Sequence, residues 1–102
     1  MISVKVTYTV PAAFAAKNQE NINRFMTDFK ALNSDDFRYT AYICADGKTF
    51  VHHSVYRNEA IQQQLLGIPS FRSFQQQRDN SGLEGMPQID LLTVVAASHE
   101  LL

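Results

Sequence analysis

The chain has a single cysteine, Cys44, and no tryptophan among its 102 residues. One cysteine forms neither an internal disulfide framework nor a cysteine-rich zinc site, and this usage fits a reducing compartment. A phosphate-binding glycine-rich loop, a Gly-x-Ser-x-Gly turn and a Cys-x-x-Cys pair are missing too. The sequence therefore carries no short motif of a nucleotide-binding, serine-hydrolase or thiol-redox protein.

An excess of charge of one sign is also missing. Nine Lys and Arg residues stand against ten Asp and Glu residues, for a net charge of −1. A nucleic-acid-binding domain normally shows a basic stripe or patch, and an RNA-binding sheet pairs exposed aromatics with a basic motif that is absent here. We therefore expect no nucleic-acid partner.

Long apolar runs are missing as well. The longest, Ile89–Ala97, is interrupted by Asp90 and Thr93 and is far shorter than the ~20 residues of a membrane-spanning helix. The first residues alternate from the outset and lack the basic and apolar regions of a secretory signal. We expect a cytoplasmic protein with no membrane partner, and the length predicts one domain over residues 1–102.

Apolar residues alternate with polar ones over residues 2–10, which predicts a first strand ended by Pro11. The period then changes and predicts a helix over 12–32, with polar residues such as Asn18 and Asn21 assigned to its solvated surface. The apolar stripe of this helix comprises Ile22, Phe25, Met26, Phe29 and Leu32.

Asp46 and Gly47 separate two strand-like runs, 37–44 and 49–57, and predict a hairpin with a type I′ turn. This turn fixes the register of the two strands. A slip of one residue would move every side chain to the other face of the sheet. One predicted face pairs Phe37 with Tyr56, Tyr39 with Ser54, Ala41 with His52 and Ile43 with Phe50.

The rest of the chain predicts a second helical region over 59–78 and a last strand. Asn58 is a suitable N-cap, Gly67 and Pro69 break the helix, and Ser70 could start its second piece. Turn-forming residues follow over 79–88, and Ile89–Ala97 is the predicted last strand. The order β-α-β-β-α-β predicts a ferredoxin-like α+β fold, with a four-stranded antiparallel sheet and both helices on one face.

The face without helices is only half polar, which predicts a second copy of the chain against it. A strand that is apolar on both sides is expected where both sides are covered. We therefore expect a homodimer packed sheet to sheet; the alternative is a monomer with ordinary surface hydrophobes. The hairpin contributes Tyr42, Val51 and Val55 to this face, and the last strand is apolar on both sides, with Ile89, Leu91, Val95 and Ala97 on one and Leu92, Val94 and Ala96 on the other.

The element order, the chain length and the junction Tyr56-Arg57-Asn58-Glu59-Ala60-Ile61 resemble the dimeric α/β-barrel superfamily, particularly its antibiotic-biosynthesis-monooxygenase-like branch. The resemblance covers nearly the whole chain. In that branch, strand three often ends in an aromatic residue, commonly tryptophan, followed by an acidic segment that starts a helix. Some relatives are cofactor-independent monooxygenases acting on quinol-like substrates, and others degrade haem, isomerise lactones or have no known activity.

The resemblance implies a substrate cleft between sheet and helices with His52 as its catalytic residue, because His52 lies four positions before Tyr56. His52 would orient or deprotonate a phenolic or enolic substrate, and Tyr56 would be an aromatic wall and hydrogen-bond donor. The other expected ligand-binding residues are Tyr39, Ser54, Phe71 and Phe74. The alternative is that His52 and Tyr56 are core residues with locally satisfied polar groups.

No metal or other cofactor is expected. His52 and His53 are neighbours on a strand and point to opposite faces, so they cannot bind one ion together. Residues 59–78 contain no histidine, which argues against haem ligation, and Tyr56 stands where the resembled branch commonly has tryptophan. Arg72 and Arg78 are predicted to be solvated surface charges rather than anion ligands.

The sequence thus favours a small homodimeric α/β-barrel protein that binds a small apolar, aromatic or polyketide-like molecule, or oxidises it without a cofactor. The alternative is a non-enzymatic module for ligand sensing or subunit association. A gap between sheet and helices that is filled by phenylalanine side chains would favour this alternative.

Overall fold

The strand and helix patterns of the sequence produce a four-stranded antiparallel sheet with helices on one side. A computed structural model describes residues 1–102. The strands are β1 (Ile2–Thr9), β2 (Phe37–Ile43), β3 (Thr49–Tyr56) and β4 (Gln88–Leu92), in the spatial order β2-β3-β1-β4. The helices are a 3₁₀ turn (Ala12–Phe14), α1 (Ala15–Ala31), α2 (Glu59–Leu66) and α3 (Pro69–Asp79). The predicted ferredoxin-like fold is confirmed.

The β2–β3 hairpin has the predicted register, with Ala41 opposite His52 and Phe37 opposite Tyr56. The predicted type I′ turn is wrong, because only Gly47 has a positive φ, at 74°. The Gly47 N–H donates to the Cys44 carbonyl at 3.0 Å, and the Asp46 carboxylate accepts from the Thr49 N–H at 2.8 Å. The register survives since the loop keeps its length.

The helical region after β3 begins at the predicted cap. The Asn58 side chain accepts a hydrogen bond from the Ile61 N–H at 3.0 Å and satisfies one of the unpaired donors of the first turn of α2. The second piece does not start at Ser70, because Pro69 occupies its first position, where a missing N–H costs nothing. Ser70 instead donates to the Asp28 carboxylate on α1 at 2.5 Å.

The last strand is shorter than the predicted Ile89–Ala97, since it ends at Leu92 and residues 93–97 form no regular structure. The physical reason is the neighbouring strand. Leu92 lies opposite Ser3, the second residue of β1, so a longer β4 would pass the start of its partner strand after one more pair. The length of β4 is therefore set by where β1 begins rather than by its own apolar residues.

The hydrophobic core lies between the helices and the inner face of the sheet, and phenylalanines dominate it. The inner face of β4 is not covered: Ile89 and Leu91 pair with Val6 and Val4 but are 66% and 79% exposed. The fully or nearly fully buried phenylalanines are Phe25, Phe29, Phe37, Phe50, Phe71 and Phe74. The helices thus close one end of the inner face and leave the β4 end open.

The outer face of the sheet is mixed, as predicted. Tyr42 and Leu92 are 56% and 42% exposed, whereas Val55 and Ser3 are buried. None of the helices has the length and apolar character needed to cross a membrane.

Candidate functional site

A cavity of about 630 Å³ opens at the end of the inner face that the helices leave uncovered. All four strands contribute to its floor, β2 through Tyr39, and α2, α3 and the loop after α3 form its walls. Its volume lies within the range of about 300–1,000 Å³ that is typical of small-molecule sites. The main lining residues are Val4, Val6, Tyr39, His52, Ser54, Tyr56, Gln62, Leu66, Phe71, Arg78, Met86 and Ile89.

His52 stands in the cavity wall between two tyrosines. Its Nε2 atom lies 2.8 Å from the Tyr8 hydroxyl, and its Nδ1 atom lies 2.7 Å from the Tyr39 hydroxyl. Both distances are those of good hydrogen bonds, so both ring nitrogens are engaged. The strand register explains the arrangement, because Val6 on β1 and Ala41 on β2 lie opposite His52 and place the flanking tyrosines two residues away.

The Tyr8 hydroxyl has a second partner on α1. The Asn18 side-chain nitrogen donates to it at 2.8 Å, while the Asn18 carbonyl oxygen is buried with no hydrogen-bond partner. Asn18, Tyr8, His52 and Tyr39 therefore form one continuous hydrogen-bonded chain. It runs from the buried side of α1 to the cavity wall, and we call it the relay.

Burial keeps the groups of the relay neutral. It lowers the pKa of His52 from 6.5 to about 3, with a smaller contribution from the positive charge of Arg78. It also raises the pKa values of Tyr8 and Tyr39 above their ordinary range. At neutral pH the imidazole is uncharged, and one of its nitrogens donates while the other accepts. The imidazole can therefore accept a hydrogen bond from one tyrosine and donate one to the other.

Arg78 is the cation of the cavity lining, and its Nε donates to the carboxylate of Asp79, which also lines the cavity, at 3.0 Å. Its guanidinium lies 5.2 Å from the centre of the Tyr8 ring and 5.4 Å from that of Phe74, and its side chain is only 12% exposed. The prediction of a solvated surface charge is therefore wrong. Arg78 follows Phe74 by four residues and Phe71 by seven on α3, so the helical period places it on the buried face.

Most of the residues proposed for the site from the sequence come together. Tyr39, Ser54, Tyr56 and Phe71 line the cavity with His52. Phe74 does not line it but stacks on the His52 ring, with centroids 5.4 Å apart and planes at 24°. Since both His52 nitrogens are bonded to tyrosines, this side chain would reach a substrate proton only through Tyr39.

His53 lies on the opposite face of the sheet from His52, as the alternation predicts. Its Nε2 atom is 3.2 Å from the Ser3 hydroxyl. No group of three or more histidine, cysteine, aspartate or glutamate side chains is arranged to hold a metal ion.

Two residues of the relay, Tyr8 and Asn18, were not among the residues proposed from the sequence. Asn18 was predicted to lie on the solvated surface of the helix, and its relative exposure is 0%; Asn21 is buried too. A signal was present, because Asn18 precedes Ile22 by four residues and Phe25 by seven and so continues the apolar stripe. Asn18 was assigned to the surface because its side chain is polar.

No protein-family model and no curated protein matches this chain. Solved structures do match it. One is Rv0793 of Mycobacterium tuberculosis, with 18% identity over 96% of this chain and 98% of that one and a TM-score of 0.78. Another is a variant of SnoaB, a cofactor-independent oxygenase of Streptomyces nogalater, with 18% identity over 97% of both chains and a TM-score of 0.71.

A third similar structure comes from Bacteroides thetaiotaomicron, where the protein is provisionally described as an antibiotic biosynthesis monooxygenase. It has 9% identity over 97% of this chain and 93% of that one, with a TM-score of 0.82. At such identities the likeness establishes the fold. The resemblance seen in the sequence is therefore confirmed at that level, and the chain has the ferredoxin-like fold of the antibiotic biosynthesis monooxygenases.

Proposed function

We propose that this protein binds a small aromatic or polyketide-like molecule in its cavity and oxidises it with dioxygen, without a metal or organic cofactor. The observation that carries the proposal is the cavity itself, which joins apolar and aromatic walls to a neutral His52, the Tyr39 hydroxyl and one cation, Arg78. The shared fold with a cofactor-independent oxygenase supports it. Fold likeness alone does not define a reaction, so the argument rests on these groups.

The cavity walls suit a flat, largely apolar ligand. Tyr39, Tyr56 and Phe71 offer aromatic surfaces, and Val4, Val6 and Ile89 offer aliphatic ones. The lining also has polar side chains, among them Ser54, Gln62 and Gln75, which can fix the orientation of the ligand. A substrate oxygen that bonds Tyr39 would lie within the field of Arg78.

The chemistry needs a substrate that can form a stabilised anion, such as an enolisable aromatic ketone or a quinol. Transfer of a substrate proton to water in the open cavity leaves a negative charge on the substrate oxygen, which the Tyr39 hydroxyl and Arg78 would stabilise. The anion supplies the electrons to dioxygen. At an activated methylene, one oxygen atom becomes the new carbonyl, and the other leaves as water with the two hydrogens.

The second candidate is a ligand-binding protein without turnover. It is favoured by the engagement of both His52 nitrogens, since burial holds the pKa of this side chain at about 3 and makes it a weak base. The open cavity argues against a module that serves only subunit association, for which a filled gap was expected.

The test is oxygen uptake and thermal stabilisation with a panel of enolisable aromatic ketones and quinols. We expect at least one compound to be consumed, with loss of turnover in His52→Ala and in Tyr39→Phe, which removes a single hydroxyl. His53→Ala is the matched control, because it removes a histidine one residue away on the other face. Stabilisation without oxygen uptake would favour the binding protein, and no response to any compound would contradict both.

We also propose that two copies associate through the apolar surface around β4. Ile89 and Leu91 are exposed on the inner face of β4, Leu92 is exposed on its outer face, and Val94 and Val95 are exposed just beyond it. Exposed apolar surface of this extent usually marks an interface. Sedimentation at micromolar concentration should give about twice the chain mass of 11.5 kDa. Leu91→Lys with Leu92→Lys should give the monomer, whereas Leu32→Lys, at an exposed leucine after α1, should not. A wild-type monomer would contradict the proposal.

A further inference from the structure

The direction of the hydrogen bonds in the relay follows from counting protons. The Asn18 side-chain nitrogen can only donate, so the Tyr8 oxygen accepts at that contact. The Tyr8 proton must then be given to another atom, and the only other partner of this hydroxyl is Nε2 of His52. Nε2 is therefore the acceptor, and the single proton of the neutral imidazole resides on Nδ1.

The same count continues to the cavity wall. The Nδ1–H of His52 donates to the Tyr39 oxygen at 2.7 Å, so Tyr39 does not use its own proton within the relay. Tyr39 lines the cavity. Its hydroxyl proton is thus free for a ligand, and all donors of the relay point from α1 towards the cavity.

The orientation of the Asn18 amide also has a physical reason. In the observed orientation the amide leaves its carbonyl oxygen unpaired. The reversed orientation would leave the NH₂ group unpaired, which has two donors to satisfy, and buried polar groups without partners are costly. The observed orientation pairs one of the two amide N–H groups at the expense of the carbonyl oxygen, whereas the reversed one would leave both N–H groups unpaired.

From this geometry we propose that Asn18 is a positioning residue that sets the direction of the relay, so that Tyr39 offers a proton to the ligand. The cavity then selects a ligand with a hydrogen-bond acceptor, a carbonyl or enolate oxygen, next to Tyr39. This inference rests on the proposed ligand site and narrows its substrate class. Asn18 acts through Tyr8 and His52 and does not touch the ligand.

Asn21 provides a matched control on the same helix. It lies one turn further along α1, is buried, and also has an unpaired carbonyl oxygen. Its side-chain nitrogen donates to Gln77 at 3.0 Å and not to the relay. A substitution at Asn21 therefore alters a buried amide of the same helix without changing a hydrogen bond of the relay.

The first experiment reads the direction of the relay in the free protein by ¹⁵N NMR of labelled histidine, in which the protonated and unprotonated ring nitrogens have different shifts. We expect His52 to carry its proton on Nδ1. Tyr39→Phe should leave it there, because the Tyr8 proton still has no other acceptor. A proton on Nε2 in the wild type would overturn the inference whatever the protein catalyses.

The second variant reverses the relay. Asn18→Asp, studied above the titration range of the carboxyl group, places an acceptor next to Tyr8, so Tyr8 should donate to it and the His52 proton should move to Nε2. Asn21→Asp should leave the His52 proton on Nδ1. An unchanged tautomer in folded Asn18→Asp, or the same shift in Asn21→Asp, would contradict the role of Asn18. If Asn18→Asp does not fold, Tyr39→Phe tests the direction instead, because a proton that moves to Nε2 in that variant would contradict control from the Asn18 side.

The ligand preference is tested with 1-tetralone and tetralin, which share a skeleton and differ in a carbonyl group. We expect 1-tetralone to bind the wild type and Asn21→Asp more tightly than tetralin, and Asn18→Asp to reduce that ratio roughly fivefold, as for the loss of one hydrogen bond. An equal ratio in the wild type and Asn18→Asp would contradict the selection. Binding without oxidation would count against the proposed oxygenase and leave this inference intact.

Discussion

The two ends of the layer between sheet and helices are built differently. Over β2 and β3 the space is filled by aromatic rings, with Phe25 and Phe29 5.0 Å apart and Phe29 and Phe37 6.0 Å apart. Over β4 the same layer is a cavity, because Ile89 and Leu91 have no helix above them. One end supplies the folding energy, and the other is free to hold a ligand.

His52 lies where the two ends meet. Its ring stacks on Phe74 in the packed end and also lines the cavity. The polar groups of the site are thus held on strands and a helix rather than on a loop. The relay is held by the packed end, and its last hydroxyl, that of Tyr39, faces the open end.

The strongest test of the comparison is a large truncation at each end. Phe25 is fully buried and contacts several other rings, so Phe25→Ala should cost about 3–5 kcal/mol of the free energy of unfolding. Met86 lines the cavity but is exposed, so Met86→Ala should change that free energy by less than about 0.5 kcal/mol. Urea denaturation of both variants measures this, and equal costs would break the distinction.

The second test uses pH and compares the two histidines. Burial lowers the folded-state pKa of His52 to about 3, below its ordinary 6.5, so the unfolded chain binds the proton more tightly. The contribution of His52 to stability is therefore complete above about pH 6.5 and is lost as the pH drops towards 3, by a total on the order of 5 kcal/mol. His52→Asn should remove this slope from urea titrations across that range, and His53→Asn should keep it. A slope as steep in His52→Asn as in the wild type would contradict the burial of a neutral imidazole.

The third test concerns charge at the open end. Arg78→Met should weaken the binding of an anionic aromatic probe, 1-naphthoate, roughly tenfold, since a hydrogen bond or ion pair to a charged group is worth about 1.5–3 kcal/mol. Arg72→Met removes an exposed arginine of the same helix and should leave the affinity unchanged. Isothermal titration calorimetry provides both values. Equal affinities for Arg78→Met and the wild type would show that the cation does not serve the cavity.

The smallest expected effect lies in the helix beside the cavity. Asn58→Ala removes the cap of α2 and should lower the free energy of unfolding by about 1 kcal/mol. Asn23→Ala, at an exposed position of α1, should lower it much less. Urea denaturation compares the two, and a larger loss for Asn23→Ala would mean that the cap does not hold α2 in place.

Much of the packed end could be predicted from the sequence, because its rules are local. Alternation and the Asp46-Gly47 loop were enough for the hairpin register, although the turn conformation was wrong. The end of β4 could not be predicted in this way, since it depends on where β1 begins, and a run of apolar residues carries no information about its neighbour. Local sequence patterns thus predict that a strand or helix is present better than they predict the residue at which it ends.

The site was predicted in part for the same reason. His52, Tyr39, Ser54 and Tyr56 follow from strand register, which places them on one face. Asn18 and Arg78 were assigned to the surface because they are polar, although their helical spacing places them on buried faces. Asn18 is held by the relay, which joins α1, β1, β2 and β3, and Arg78 lies against the rings of Tyr8 and Phe74. These contacts are visible only in three dimensions.

The most direct test of the account is the fate of labelled dioxygen in the open end of the layer. The protein would be incubated with anthrone, an enolisable aromatic ketone with an activated methylene, under ¹⁸O₂, and the product analysed by mass spectrometry. We expect anthraquinone with one ¹⁸O atom, formed by the wild type and His53→Ala but not by Tyr39→Phe. Unlabelled product, or equal rates for all three proteins, would contradict it.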